Sequence, residues 1–399
     1  MSRKTNGMRI GILTAGGDCP GINAAIRGVG KTAIIKYGMK LIGISDGFTG
    51  MINKEYSELT ERDLSGILTL GGTILGTSRE KPFKNNGKKK SEIKKPVLIK
   101  EHYEQMELDC LVCIGGNGTL KTAHLLSQEG LNVIGIPKTI DNDVWGTDIT
   151  FGFDSAVNIA AEAIDRLHST ANSHKRIMII EVMGHNAGWI ALYSGIAGGG
   201  DVILIPEIPY KEEKIAEYLL HRVEENKPYS IVVVAEGIRN PGKEKSVAQY
   251  LSNRIFEMTG LETRETVLGY IQRGGTPSPM DRVLATRYGT AAADMIAAKD
   301  FSKMVALKKN EITSVRLEDV AGKIKMVDPD DPLIIHLKNM GTSFGTCLLY
   351  TSDAADDLLC VDLGGRRIIK KNTHIILPLL RPLFSTNITI HLPRSIFTV

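Results

Sequence analysis

An α/β fold of two doubly wound, three-layer domains is predicted by three observations. Short, continuous apolar runs alternate with stretches of helical periodicity, loops of glycine and charge follow most of those runs, and 399 residues suffice for two domains of ordinary size. Continuous apolar strands joined by helices form parallel sheets covered on both faces. Such Rossmann-like sheets bind ligands outside the carboxyl ends of their strands.

The elements follow in order. "MRIGILTA" (8–15) reads as a strand, "INAAIRGVGKTAIIKYG" (22–38) as a helix, "DCLVCI" (109–114) as a strand, "TLKTAHLLSQEG" (119–130) as a helix and "NVIGIP" (132–137) as a strand. After Asp154 the rhythm resumes: a helix in "SAVNIAAEAIDRLHSTA", strands in "RIMIIEV" and "DVILIPE", a helix in "EEKIAEYLLHRVEEN", a strand in "SIVVVAEG" and a long helix over 280–298. The loops "AGGDCPGIN", "GGTILGTSRE", "GGNGT", "PKTIDND", "EVMGHNAG", "AEGI" and "GYIQRGG" lie mostly at strand ends, which predicts one shared cleft.

Composition narrows the function classes. A net charge of +4 favours neither nucleic acid nor an acidic membrane surface, so anion binding must come from local clusters. No run of about 18 apolar residues occurs, and a cytoplasmic location is expected. The cysteines number five, with no disulfide spacing. Cys110 and Cys113 form a C-x-x-C inside a strand, where they point to opposite faces and read as core. The lysine-rich stretch 81–95 reads as a solvated insertion. From about Cys347 the sequence loses both periodicities and is set aside, as an artefactual or disordered tail, from the expected fold.

Two glycine loops before helices, with Gly16 and Gly17 in one and Gly116, Asn117, Gly118 and Thr119 in the other, suit a polyphosphate, because backbone amides and helix N-termini attract anions. "IDND" supplies two carboxylates, expected on one side of an extended segment: Asp141 as proton acceptor and Asp143 for magnesium. Arg79, Arg176, Arg264 and Arg273 are candidates for sugar phosphate and transferring phosphoryl group, since guanidinium forks match phosphate oxygens.

Together "GGDCPGINAAIRG", "GGTILGTSR", "PKTIDND", "SHKRIMIIEVMG" and "TVLGYIQRGG" resemble the bacterial-type 6-phosphofructokinase family, over roughly residues 8–346. The resemblance implies phosphoryl transfer from ATP, with Mg²⁺, to the 1-hydroxyl of fructose 6-phosphate. It implies Asp141 as base, with Arg79 and Asp143 also catalytic; Gly17, Arg79, Gly116, Asn117, Gly118, Thr119 and Lys138 at the donor; and Asn117 and Asp143 at the metal. Thr139, Asp141, Met183, Gly184, His185, Glu236, Tyr270 and Arg273 match sugar-phosphate positions, while Arg176 and Arg264 match arginines from a neighbouring subunit of a homo-oligomer, usually a tetramer. The implied partition is residues 1–152 plus 272–322 for the nucleotide phosphates, and 153–271 plus 323–346 for the sugar phosphate, with 347–399 outside the family pattern.

The chain departs from the family at Asn117, where an aspartate is usual, at His185 in place of an arginine, and at Tyr270 in place of a histidine. Gly118 leaves room for an α-phosphate, whereas Lys138 is the residue of pyrophosphate users, so the chain resembles an ATP-using subgroup that retains this lysine. A pyrophosphate-dependent enzyme and a non-catalytic binding paralogue are the alternatives. Arg27 and Lys54 fall where the family has basic effector residues.

Overall fold

The computed structural model describes residues 7–84, 95–242 and 244–346; the tail and most of the lysine-rich stretch lie outside them. Two sheets organise the chain. The larger contains β1 (Arg9–Thr14), β2 (Lys40–Ile44), β3 (Tyr56–Leu59), β4 (Cys110–Gly115), β5 (Val133–Pro137), and later β10 (Lys303–Lys308) and β11 (Glu311–Arg316). Its order is β11-β10-β5-β4-β1-β2-β3, parallel except for the antiparallel edges β3 and β11. Between them in sequence come β6 (Ile177–Val182), β7 (Val202–Leu204), β8 (Ser230–Ala235) and β9 (Thr263–Val267), an all-parallel sheet in the order β7-β8-β6-β9.

The central strands are apolar throughout because helices cover both of their faces. Ile10, Ile12, Val112, Ile179 and Val233 are all fully buried, and truncating such a side chain to alanine costs about 2–5 kcal/mol. Cys110 and Cys113 occupy different core clusters on opposite faces of β4, and burial raises both thiol pKa values. Both are free cysteines, as their strand positions require. Among the described residues no helix is long and apolar enough to cross a membrane.

Two features of this frame locate a site. First, β1 lies between β4 and β2, so successive crossovers leave it in opposite directions and open a crevice beyond the carboxyl ends of β1 and β4. Second, the helices Ile22–Lys31 and Pro279–Ala298 approach closely because Gly28 lacks a side chain; a Cβ there would lie 2.8 Å from the Thr286 carbonyl oxygen. That approach anchors the loop feeding the first helix.

The predicted elements all form, with two differences at helix ends. The helix starting at Ile22 finishes as a π-turn over Thr32–Lys36, and Lys95 opens a helix, Lys95–Gln105, instead of closing an irregular loop. The edge strands β3, β9 and β11 carry polar, partly exposed sequences without a long apolar run, which is why apolar-run reading passes over them.

Candidate active site

The crevice beyond β1 and β4 holds a cavity of about 340 Å³. Gly16, Gly17, Arg79, Gly116, Asn117, Gly118, Thr119, Lys138, Thr139, Asp141, Asp143, His185 and Arg273 line it, joined by Ser78, Asn186 and Ile324. The loop 71–80 is docked against the first glycine loop: Gly16 donates its amide to the Ser78 carbonyl (2.9 Å), and Thr77 Oγ1 donates to the Gly16 carbonyl (2.7 Å). Asn23 holds the same loop from the helix side, donating to the Leu70 carbonyl and accepting from the Ile74 amide. Gly16's amide is thereby engaged, so close approach of a phosphate on this loop falls to Gly17.

The second glycine loop opens directly into the helix Asn117–Gln128, whose N-terminus faces the cavity. Nothing lies within 4 Å of where a Gly118 Cβ would stand. The space beside this residue is open.

The segment 139–143 is not extended, as the sequence reading expects, but a turn. Asn142 adopts a left-handed conformation (φ 51°), which asparagine tolerates, and its side-chain oxygen accepts from the Thr150 amide at 3.1 Å. Both aspartates still line the cavity, now through the turn instead of through strand alternation. Asp141 is 8% exposed, its amide donates to Thr139 Oγ1 (3.1 Å), and its Oδ1 is buried without a hydrogen-bond partner. Burial, reinforced by the Asp143 charge, raises its pKa to about 6. Such a carboxylate is basic enough to take a hydroxyl proton and is ionised at neutral pH.

Asn117 and Asp143 meet. Asn117 Nδ2 donates to Asp143 Oδ2 at 2.7 Å and to the Asp143 carbonyl at 3.2 Å. With both contacts demanding a donor, the amide oxygen must face away, and it is buried with no partner. One carboxylate and one orphaned amide oxygen fit an oxygen-seeking divalent cation that draws its other ligands from phosphates and water.

Lys138 is 3% exposed and donates from Nζ to the Gly17 carbonyl; burial lowers its pKa. Arg273 reaches the same loop, with Nη1 3.3 Å from the Asp18 carbonyl, and a Cβ on Gly17 would stand 2.8 Å from that nitrogen. Glycine at position 17 therefore makes room for Arg273 as well as for a ligand.

The second sheet supplies a neighbouring cavity of about 490 Å³, with Glu181, Glu236, Asn240 and Lys245 in its lining; His185 and Asn186 line both cavities. His185 has a positive φ (51°), and its amide donates to Glu236 Oε1 at 2.9 Å. Gly184, at φ 146°, permits the preceding bend, and Met183 is fixed by its amide donating to Gln272 Oε1 at 2.8 Å. Tyr270 is 73% exposed. Arg176 and Arg264 are not in either cavity: both pair with Glu262, at 2.7 and 2.8 Å, on the β9 edge. The four arginines thus divide, with Arg79 and Arg273 in the cleft and the other two outside it.

A phosphofructokinase family model matches residues 9–296. The chain belongs to the phosphofructokinase family. It is 61% identical to an ATP-dependent 6-phosphofructokinase 3 of Bacteroides thetaiotaomicron, over 85% of this chain and 100% of that protein. It is 59% identical to an ATP-dependent 6-phosphofructokinase of Spirochaeta thermophila, over 84% and 97% respectively. A solved pyrophosphate-dependent phosphofructokinase from Marinobacter aquaeolei superposes with a TM-score of 0.72 at 26% identity, covering 81% of this chain and 86% of that one.

Within this phosphofructokinase, some site residues have no sequence signal. Asn186 bridges the two cavities from inside a plain glycine-flanked loop. Lys325 lies 182 residues beyond Asp143 in sequence, yet its amide donates to the Asp143 carbonyl (2.8 Å), and burial lowers its pKa to about 8. Only the tertiary fold brings it to the turn.

Proposed function

We propose that the chain is an ATP-dependent 6-phosphofructokinase that transfers the γ-phosphoryl group of ATP, with Mg²⁺, to the 1-hydroxyl of fructose 6-phosphate. The observation that carries this reading is Asp141: a buried carboxylate with an unpartnered oxygen and a raised pKa, lining the cavity that shares His185 and Asn186 with its neighbour on the second sheet. The 1-hydroxyl oxygen attacks the γ-phosphorus, the bond to the β-phosphate oxygen breaks, and the hydroxyl proton passes to Asp141, giving fructose 1,6-bisphosphate and ADP.

Asp143 and the Asn117 amide oxygen would hold magnesium, which when bound neutralises phosphate charge along the transfer path. Gly17, Gly116, Gly118, Thr119 and Arg79 line the donor side, and Arg273, against Gly17 in the same cavity, would meet charge on the transferring group. The open space at Gly118 and the engagement of Lys138 by the Gly17 carbonyl both favour a nucleotide over pyrophosphate. Glu236, Met183, Gly184 and His185 border the acceptor side.

Arg176 and Arg264 serve a partner's sugar-phosphate site in a homo-oligomer. The position of Arg264 on the edge strand β9, with Arg176 just ahead of β6 sharing the same partner, supports this, since solvent-accessible pairs with Glu262 are weak enough for a phosphate to displace. The partition into residues 1–152 plus 272–322 and residues 153–271 plus 323–346 is supported by the strands each set contributes to one sheet.

The test is direct detection of fructose 1,6-bisphosphate from ATP and fructose 6-phosphate by wild type and Asp141→Ser. The expected loss is about 10³-fold in kcat with fructose 6-phosphate affinity changed less than about threefold. Unchanged turnover in the variant would remove Asp141 as the base.

A further inference from the structure

We infer that Lys325 is a positioning residue for the transfer reaction: it sets the aim of the Asp141–Asp143 turn and ties that turn to the loop bordering the sugar cavity. The inference rests on the reading of Asp141 as base. Asn142, between the two aspartates, has a left-handed backbone, one of several conformations open to asparagine, so its contacts must select it. Lys325 Nζ supplies such contacts. It donates to Asn142 Oδ1 at 2.9 Å, to the Thr147 carbonyl at 3.1 Å and to the Asp148 carbonyl at 2.8 Å. Three acceptors on one ammonium close the turn on itself, and the Lys325 amide adds a fourth bond, to the Asp143 carbonyl at 2.8 Å. The preceding residue, Ile324, pairs with Val144 and lines the donor cavity.

The other side of the same lysine faces the second sheet. Its carbonyl accepts from Trp189 Nε1 at 3.0 Å, and Nζ lies 5.3 Å from the centre of the Trp189 ring. Trp189 opens the helix Trp189–Ala197 directly after the loop that carries His185 and Asn186. Two residues on, the Val327 amide donates to Glu207 Oε1, and Glu207 also accepts from the Gly188 amide at the end of that loop. One short strand of chain therefore fixes both the base turn and the acceptor loop. A misplaced general base costs rate more than affinity, and about 1 Å of error is worth up to about 100-fold.

The experiment compares full-length wild type, Lys325→Met and Lys325→Ala. Lys325→Met keeps an unbranched apolar stem and removes the donors. It is expected to lower kcat about 10- to 100-fold while the KM for ATP and for fructose 6-phosphate stay within about threefold. Lys325→Ala is expected to recover part of its lost kcat, saturably, on addition of propylammonium, and not with tetramethylammonium at the same ionic strength. Amide exchange at Asp143 to Thr150, a readout that needs no turnover, is expected to quicken in Lys325→Met. A folded Lys325→Met with kcat within about threefold of wild type, a loss confined to KM, absence of rescue, or unchanged exchange would each overturn the inference. An inactive wild type would instead sink the phosphofructokinase reading, and the exchange result would still decide the role of Lys325 in the turn.

Discussion

The ends of the two sheets are built to different standards of completeness. Beyond β1 and β4 the groups are buried, hydrogen-bonded and converge within one chain: Lys138 on Gly17, Asn117 on Asp143, and the loop 71–80 on Gly16. Beyond the carboxyl ends of β6 and β9 the acceptor side is more open, with Tyr270 largely exposed, and Arg176 and Arg264 lie away from it, paired with Glu262 at the amino ends of those strands. The chemistry of bond transfer demands fixed groups, because a donor's phosphates and a proton acceptor must meet at defined distances. Recognition of a small, strongly charged acceptor tolerates groups that arrive on binding or from a second subunit. The contrast teaches that the catalytic half can be tested one residue at a time, whereas the acceptor half, with Arg176 and Arg264 serving a partner as proposed, calls for a test on mixed chains.

The largest effect that would sharpen this contrast is at Gly118. With open space beside it, Gly118→Asp should fold normally and place a carboxylate where a nucleotide's α-phosphate would lie. The KM for ATP is expected to rise about 100-fold, the size of two like charges brought close in a partly desolvated cleft. Titration of initial rates against ATP checks this, and a variant using ATP as well as wild type would remove the steric and electrostatic account of donor choice.

A smaller effect is expected on the acceptor side. Arg264→Ala should raise the KM for fructose 6-phosphate about tenfold through loss of a charge-assisted contact, with kcat little changed. Its decisive form is a mixture: oligomers reassembled from Arg264→Ala and Asp141→Ser chains should recover activity at low fructose 6-phosphate, because one site then holds an intact Asp141 and receives an intact Arg264. If mixing yields nothing above the sum of the two variants, the arginine serves its own chain and the contrast between the halves collapses.

The mildest test is pH. With Asp141 as the proposed base, the carboxylate is the working form and its pKa is raised to about 6, so kcat should be flat above about pH 7, half-maximal near pH 6 and fall tenfold per unit below that. The sign follows from protonation abolishing a base. A limb near pH 4 would mean that ligand binding or solvent relieves the burial of Asp141.

Much of the donor half was legible in the sequence. Its loops follow strands of Ile and Val whose burial on both faces leaves a plain apolar signature, and glycine before a helix has a direct backbone meaning at Gly17 and Gly116. The turn geometry was not legible: "IDND" is compatible with an extended strand end, and only the Thr150 and Lys325 contacts select the left-handed Asn142. Lys325 and Glu207 were invisible for a related reason, since each acts through backbone groups distant in sequence. On the acceptor half, the sequence singled out Arg264 as a phosphate candidate but not its place on a polar edge strand, paired with Glu262 outside both cavities. That pairing depends on β6 and β9 lying side by side, which local sequence pattern does not encode.

The measurement that bears most directly on the central claim is phosphorus NMR of the full-length wild-type chain with Mg²⁺ and fructose 6-phosphate, supplied in turn with ATP and with pyrophosphate. The account expects fructose 1,6-bisphosphate and ADP to accumulate with ATP and no transfer from pyrophosphate. Product formed from pyrophosphate alone would mean that Lys138 and not Gly118 governs the donor, and no product from either would contradict phosphoryl transfer by this site.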